Sequence, residues 1–286
     1  MTINIKTFFD PDTATFAHVV SDPSTQKCAI IDSVLDYDQY SGRTKTKSAD
    51  QVIDYITEET LSVEWILDTH IHADHITASH YLKEKLGGKI GIGAKIKDVL
   101  ALWVPIFNTN KDTHLDASQF DHLFEEAEVF KLGNINVKVL HTPGHTPACS
   151  SYLIEDAIFV GDTIFMPDIG TARTDFPGGS AGSLYDSVKK ILSLPDETRI
   201  FMCHDYPPEG RDVAWLATVK EQKEKNVLLH DGISKEEYVA VRNKRDEGKA
   251  VPKLLLPSIQ ANLRAGTFGE PEDNNVRYIK IPVDKI

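Results

Sequence analysis

The sequence predicts an α/β protein in which two β-sheets lie between outer layers of helices. Two observations favour this fold class. Strand-like apolar runs come first and then alternate with helical patterns, before the chain becomes charged from about residue 209 onward. Motifs rich in histidine and aspartate follow several of the apolar runs, where strands would end. We therefore predict a principal domain over residues 1–209 and a helical and loop extension over 210–286 that packs on the same domain.

Three short strands are predicted to open the chain, because apolar runs alternate there with Asp-Pro turns. These runs are residues 3–9, 15–21 and 27–31. The polar segment 36–48 is predicted to be a loop. A helix capped by Ser48 or Asp50 then carries an apolar face. It leads to a strand over 63–67, directly before the first histidine motif.

Strands and helices alternate through the middle of the chain. A glycine pair ends a predicted helix over 76–86, and a strand over 89–92 follows it. Residues 94–104 are predicted to form a helix and 106–124 a loop. Four further strand-like runs follow at 127–131, 135–140, 150–154 and 157–160.

The last part of the predicted domain repeats the strand and helix alternation. A helix is predicted around residues 184–192, followed by a strand over 198–202. The charged extension is predicted to be helical at first, with Trp215 and Val219 on one face. Loops are then predicted around prolines 252, 257 and 271.

Four motifs concentrate the residues that bind metal ions. They are Thr69–His75, His141–Thr146, Gly161–Thr163 and Cys203–Tyr206. Neutral imidazole and carboxylate groups gathered from distant segments suit zinc or ferrous iron. Strand periodicity would place His70 and His72 on one face. The seven candidate ligands are His70, His72, Asp74, His75, His145, Asp162 and His204.

Asp162 is the clearest single indication of a metal. It ends the apolar run 157–161, which is predicted to be buried strand. A buried carboxylate without a cation or hydrogen-bond partners is energetically costly. A bound cation would remove that cost.

Composition excludes several classes of protein. The net charge of −12 argues against a nucleic-acid binder or a protein that binds anionic membranes, because both need basic surfaces. The three cysteines show no Cys-x-x-Cys spacing, so neither a disulfide framework nor a thiolate zinc site is indicated. The sequence shows no signal peptide and no apolar stretch of membrane-spanning length. We expect a cytoplasmic protein.

The four motifs, in this order and spacing, resemble those of the metallo-β-lactamase superfamily. That resemblance spans residues 1 to about 209 and implies a four-layer αββα catalytic domain. Within the superfamily, segments 69–78, 170–176 and 203–206 are similar to the persulfide dioxygenases. Segment 256–266 is similar to the bacterial β-lactamase-like hydrolase branch.

The resemblance implies two alternative ligand sets. In the persulfide dioxygenases, one Fe(II) per chain would be held by His70, His145 and Asp162. In the binuclear zinc hydrolases, including glyoxalase II enzymes that cleave hydroxyacyl-glutathione, two zinc ions would share all seven candidate ligands. Against the second set, Ile71 interrupts the consecutive histidines expected of those hydrolases. The ligand inventory alone leaves both alternatives open, and a metal-binding protein without catalytic activity is a third.

The dioxygenase interpretation implies glutathione persulfide and dioxygen as substrates and sulfite as product. Because glutathione carries carboxylates, we predict that Arg173 binds them, with Arg264 as a second candidate. Asp74 and Tyr206 are candidate catalytic residues beside the metal. We further expect a homo-oligomer, a dimer, and a separate sulfurtransferase partner.

Overall fold

The computed structural model describes residues 3–286, so residues 1 and 2 of the predicted 1–209 domain lie outside the described residues. Two six-stranded sheets form the centre. In spatial order the first sheet contains β1 (Asn4–Asp10), β2 (Thr15–Asp22), β3 (Lys27–Ile31), β6 (Ser62–Leu67), β7 (Lys89–Gly93) and β8 (His122–Phe124). The second contains β14 (Leu216–Thr218), β13 (Arg199–Phe201), β12 (Ala157–Phe159), β11 (Ser150–Ile154), β10 (Ile135–His141) and β9 (Val129–Leu132).

A hairpin and seven helices complete the described part of the chain. The hairpin pairs β4 (Asp36–Asp38) with β5 (Arg43–Lys45). The helices are α1 (Lys47–Glu58), α2 (Ser79–Leu86), α3 (Ile96–Phe107), α4 (Ala181–Leu192), α5 (Val219–Lys225), α6 (Lys235–Asp246) and α7 (Leu255–Asn262). Within residues 3–286, none of these helices combines the length and apolar character needed to cross a bilayer.

Buried apolar side chains form three clusters that correspond to the three interfaces of a four-layer structure. One cluster joins the two sheets, with Leu67 from the first and Phe159 from the second. Another joins the first sheet to α1, α2, α3 and α7. The third joins the second sheet to α4 and α6 through side chains such as Val188 and Tyr238. The predicted four-layer αββα arrangement is confirmed.

Several predicted elements are wrong in the N-terminal half. Segment 36–48 is not a loop, because it contains the β4–β5 hairpin and the start of α1. The N-cap of α1 is Thr46 rather than Ser48 or Asp50, since the Ser48 hydroxyl donates to Asp36 instead. Helix α2 begins at Ser79 rather than at residue 76.

Other corrections concern the loop 106–124 and the extension. Segment 106–124, which was predicted to be a loop, contains strand β8, and this strand pairs in parallel with β7. Trp215 and Val219 do not share a helical face, because edge strand β14 lies between them. Pro257 lies in the first turn of α7, where the missing N–H of proline is tolerated. The extension therefore contributes both a strand and helices to the layers.

The sheets bring the four histidine and aspartate motifs together. Strands β6, β12 and β13 each end shortly before one of these motifs, and β10 ends at His141, the first residue of the remaining motif. Because strand β6 ends at Leu67, His70 and His72 lie in the loop that follows it, and strand periodicity does not place them. An isolated bridge between Thr15 and His204 links the two sheets at this edge.

Candidate metal centre

His70, His145 and Asp162 converge at the edge where these strands end. The Nε2 atoms of His70 and His145 lie 3.9 and 3.6 Å from Asp162 Oδ2. One ligand atom from each of the three side chains lies within 4.8 Å of the other two. All three residues are buried. They are therefore placed to share one metal ion.

A second group lies beside the first and contains the other four candidate ligands. They are His72, Asp74, His75 and His204, whose ligand atoms also lie within 4.8 Å of one another. His204 Nε2 lies 3.2 Å from Asp74 Oδ2 and 3.4 Å from Asp162 Oδ1, so Asp162 stands between the groups. All seven predicted ligands are thus brought together.

The polar atoms of these groups fit a metal centre. Five buried atoms of the candidate ligands have no hydrogen-bond partner among the described residues: His70 Nε2, His72 Nδ1, His75 Nε2, Asp162 Oδ1 and His204 Nε2. Buried polar atoms normally have a partner, because an unsatisfied one costs free energy. A cation in the first group would satisfy His70 Nε2 and Asp162 Oδ1, and a cation in the second would satisfy the other three; imidazole nitrogen and carboxylate oxygen are ligand atoms that zinc and iron prefer.

Two glycines allow the ligand loops to turn tightly. Gly144 has φ +144°, and a Cβ atom there would lie 2.4 Å from the backbone nitrogen of Leu184. Gly161 has φ +51°, and a Cβ atom would lie 2.3 Å from Thr69 Oγ1. Each glycine precedes a ligand by one residue, so this close backbone approach directs His145 and Asp162 inward.

The ring nitrogens that face away from the centre have their own partners. His145 Nδ1 lies 2.8 Å from the carbonyl oxygen of Arg173, and His204 Nδ1 lies 3.2 Å from that of Ala14. His72 uses its other nitrogen, because Nε2 lies 3.1 Å from Asp32 Oδ1. Such contacts orient the imidazole and select its tautomer.

Burial and neighbouring charges shift the pKa of five of these groups. Burial holds the pKa of His70 and His72 well below the ordinary value, so both imidazoles are neutral, as metal binding requires. Burial also raises the pKa of Asp162. Burial opposes ionisation of Asp74 and His204, but their mutual attraction, other nearby charges and hydrogen bonds together outweigh it, lowering the pKa of Asp74 and raising that of His204.

A cavity of about 1250 Å³ opens onto the centre. It is lined by Asp74, His145 and Asp162, and by the half-exposed Tyr206, whose hydroxyl lies 3.4 Å from Asp74 Oδ2. Seven basic side chains also line the cavity, and sequence reasoning missed all of them except Arg173. We call them the basic wall: Lys45, Lys47, Arg173, Arg242, Arg245, Lys249 and Lys253.

The two arginines predicted to bind substrate occupy different places. Arg173 lines the cavity, but its Nε and Nη2 atoms donate to Asp175 at 2.6 Å each. Arg264 lies outside the lining and pairs with Asp112 at 2.8 Å. Only Arg173 is therefore positioned to meet a molecule in the cavity.

Sequence reasoning missed three buried polar residues around the ligands. Asp32 accepts a hydrogen bond from the backbone of Thr69 and contacts His72. Asp68 accepts from the hydroxyls of Thr77 and Ser79, and burial and the neighbouring Asp32 raise its pKa to about 7. Asp32 follows strand β3 just as Asp162 follows an apolar run, so this signal was present. The third residue is Asn262, and no comparable local pattern in the sequence indicated a role for it.

A family model described as the metallo-beta-lactamase superfamily matches residues 11–204. The chain belongs to the metallo-beta-lactamase superfamily. The matched range contains all seven candidate ligands, and the cluster together with the family implies a metal cofactor. This superfamily includes metal-dependent hydrolases and dioxygenases.

Relatives of this superfamily member carry different names. Glyoxylase B2 of Dictyostelium discoideum is 49% identical over 282 residues, covering 98% of this chain and 97% of the relative. The mitochondrial persulfide dioxygenase ETHE1 of Homo sapiens is 29% identical over 267 residues, covering 92% and 89%. The crystal structure of ETHE1 from Myxococcus xanthus superposes with a TM-score of 0.74 at 28% identity, covering 92% of this chain and all of that one.

Proposed function

We propose that the protein is a persulfide dioxygenase that uses one Fe(II) per chain to oxidise glutathione persulfide to sulfite and glutathione. The observation that carries this proposal is that His70, His145 and Asp162 form a complete group without His72. Two histidines and one carboxylate are the protein ligands typical of non-haem ferrous oxygenases. The similarity to the human persulfide dioxygenase supports the same reaction.

The ligands suit this chemistry. When bound by this group, ferrous iron supplies about three open coordination positions for substrate and dioxygen. In the overall reaction, the terminal sulfur receives both oxygen atoms of dioxygen and one from water. Four electrons pass from that sulfur to dioxygen, and the sulfur–sulfur bond breaks to leave the thiol of glutathione.

Asp74 and Tyr206 form the polar wall of the cavity beside the ligands. Although Tyr206 is half-exposed, desolvation of its hydroxyl and the neighbouring Asp74 raise its pKa, so the phenol remains a hydrogen-bond donor at neutral pH. Asp74 is a carboxylate held in its ionised form by His204, and it accepts hydrogen bonds. Together the two side chains can orient the water that the reaction consumes.

The basic wall offers cations to an anionic substrate within a cavity that seven aspartates also line. Arg173 is a closely bonded member, because Asp175 and the carbonyl of Ala250 hold its guanidinium. Lys249 remains more accessible, with a side chain that is 42% exposed. In the proposed complex the carboxylates of glutathione face these cations, and the persulfide sulfur points towards the metal ligands.

A binuclear zinc thioesterase of the glyoxalase II kind is the second candidate, and one observation favours it. His72 Nδ1, His75 Nε2 and His204 Nε2 are buried without hydrogen-bond partners, although the ferrous group does not include them. A second ion would satisfy these atoms. The name of the Dictyostelium discoideum relative is consistent with a hydrolase.

Metal analysis and two activity assays separate the candidates. Metal-free protein is reconstituted with ferrous iron or with zinc, and oxygen consumption with glutathione persulfide is compared with hydrolysis of a hydroxyacyl-glutathione thioester. We expect one iron per chain and oxygen uptake with matching sulfite production. The His145→Ala variant is the control and should show neither activity. Two zinc ions per chain with thioester hydrolysis and no oxygen uptake would exclude the dioxygenase.

A further inference from the structure

The C-terminal helix α7 contacts the loop that carries four candidate metal ligands. Asn262 is the last residue of α7 and is buried. Its Nδ2 donates to the carbonyl oxygens of His72 and His75, each at 2.8 Å. Its Oδ1 accepts a hydrogen bond from the backbone nitrogen of Thr77 at 2.9 Å. One side chain therefore binds three backbone groups of the ligand loop.

A primary amide matches this arrangement closely. It carries two N–H donors and one carbonyl acceptor in one plane, so it can bind two carbonyls and one N–H at once. The ligand loop has no regular secondary structure between β6 and α2, and its buried backbone groups need partners. Asn262 satisfies three of those groups and limits the movement of His72 and His75.

Helix α7 is itself held against this loop by further contacts. The backbone nitrogen of His80 donates to the carbonyl of Ala265 at 3.1 Å. Gly266 lies so close that a Cβ atom there would be 2.5 Å from the carbonyl oxygen of Thr77. Ile259 belongs to the same buried apolar cluster as Ile71. These contacts therefore fix the position from which the Asn262 amide reaches the ligand loop.

We propose that Asn262 is a positioning residue of the metal centre. It lies outside residues 11–204, the range that the family model matches, so the extension contributes to the centre. By fixing the carbonyls of His72 and His75, Asn262 restricts the backbone from which both imidazoles project. A single ferrous ion would take His70 from this same loop, and two zinc ions would take all four of its candidate ligands, so the role does not depend on the proposed function.

Cobalt(II) binding tests this role without any substrate. Asn262→Leu removes all three hydrogen bonds at similar volume, and Asn262→Asp removes the two donated ones. Gln260→Leu is the matched control: Gln260 is a buried amide two residues earlier in α7, but it bonds to Leu256 and Lys280. Cobalt affinity, the visible absorption of bound cobalt and the thermal unfolding of the metal-free protein are measured for each variant.

We expect both Asn262 variants to lose ten-fold or more in cobalt affinity, with a changed absorption spectrum. Gln260→Leu should retain the wild-type affinity and spectrum. Wild-type affinity in Asn262→Leu, or an equal loss in Gln260→Leu, would overturn the proposal. If Asn262→Leu does not fold, Asn262→Asp decides by the same criterion. If neither folds without metal, the proposal is overturned, because Asn262 then serves the fold as a whole.

Discussion

The Nδ1 atom of His145 lies 2.8 Å from the backbone carbonyl oxygen of Arg173, which leaves Nε2 directed towards Asp162. Helix α6 holds this segment in place. Asp246 accepts a hydrogen bond from the backbone nitrogen of Thr174, and Arg242 donates to the carbonyl of Thr171. The extension therefore reaches the centre from two sides, through α6 near His145 and through α7 near His72.

Breaking the buried ion pair between Arg242 and Asp246 should weaken both the fold and the metal centre. Both side chains are less than 5% exposed, at 3% and 4%. Asp246→Ala leaves the guanidinium without its partner, so we expect the free energy of unfolding to fall by about 3 kcal/mol. We also expect weaker metal retention, because the Arg173 carbonyl loses its support. Urea unfolding and metal analysis measure the two effects.

The exposed pair between Lys235 and Asp186 is the control for this prediction, since Lys235 lies on the same helix. Lys235→Ala should change the free energy of unfolding by at most about 1 kcal/mol. Equal losses from Asp246→Ala and Lys235→Ala would show that the buried pair has no special role.

Removing single histidines should distinguish the two ligand sets. His145→Ala takes away a member of the group with His70 and Asp162, and we expect iron retention to be abolished. His72→Ala leaves that group intact, so about one iron per chain should remain. Elemental analysis after ferrous reconstitution measures both variants. Equal iron loss from the two substitutions would contradict a mononuclear site.

His18 should make the stability of the protein depend on pH. Its ring packs against Phe159 and Phe201, its Nε2 donates to the carbonyl of Met202, and burial lowers its pKa to about 4. Below the ordinary pKa of 6.5, the unfolded chain binds a proton that the folded chain does not. The free energy of unfolding should therefore fall by about 3 kcal/mol as the pH decreases from 6.5 to about 4.

Urea unfolding between pH 7 and pH 4 measures this contribution. His18→Gln keeps an N–H donor for the Met202 carbonyl but cannot titrate, so its stability should fall less over the same range. His80→Gln is the control, because the His80 side chain is 49% exposed. A wild-type pH dependence in His18→Gln would show that other groups cause the loss.

Gly144→Ala should disturb the turn before His145. Gly144 has a positive φ, and the added Cβ atom would lie 2.4 Å from the Leu184 backbone, so strain and a clash are both introduced. We expect the protein to be destabilised by more than about 1 kcal/mol and to retain less metal. Thermal unfolding and metal analysis measure these effects.

Gly232→Ala separates the effect of backbone strain from the effect of the steric clash. Gly232 has φ +96°, and an added Cβ atom meets nothing within 4 Å. This variant should show the backbone strain alone, with full metal retention. If Gly144→Ala is no more harmful than Gly232→Ala, the close approach to α4 has no effect on the centre.

Much of the fold and all seven candidate ligands could be predicted from the sequence. Each ligand belongs to a short polar motif near the end of an apolar run, and that pattern is local. Errors arose where tertiary contacts override local preference. The Ser48 hydroxyl donates to Asp36 instead of capping α1, and the polar segment before it pairs into a hairpin.

The sequence by itself identified the seven candidate ligands and the layers that surround them, because short polar motifs after apolar runs mark strand ends and burial over a few positions. Only the tertiary structure decided that His72 groups with His204 rather than with His70 and His145. It alone also brought Asn262 to His72, 190 residues away. The grouping of His72 with His204 and the contact between Asn262 and His72 both depend on loop conformation and on packing between layers. No local pattern of residues specifies either of these.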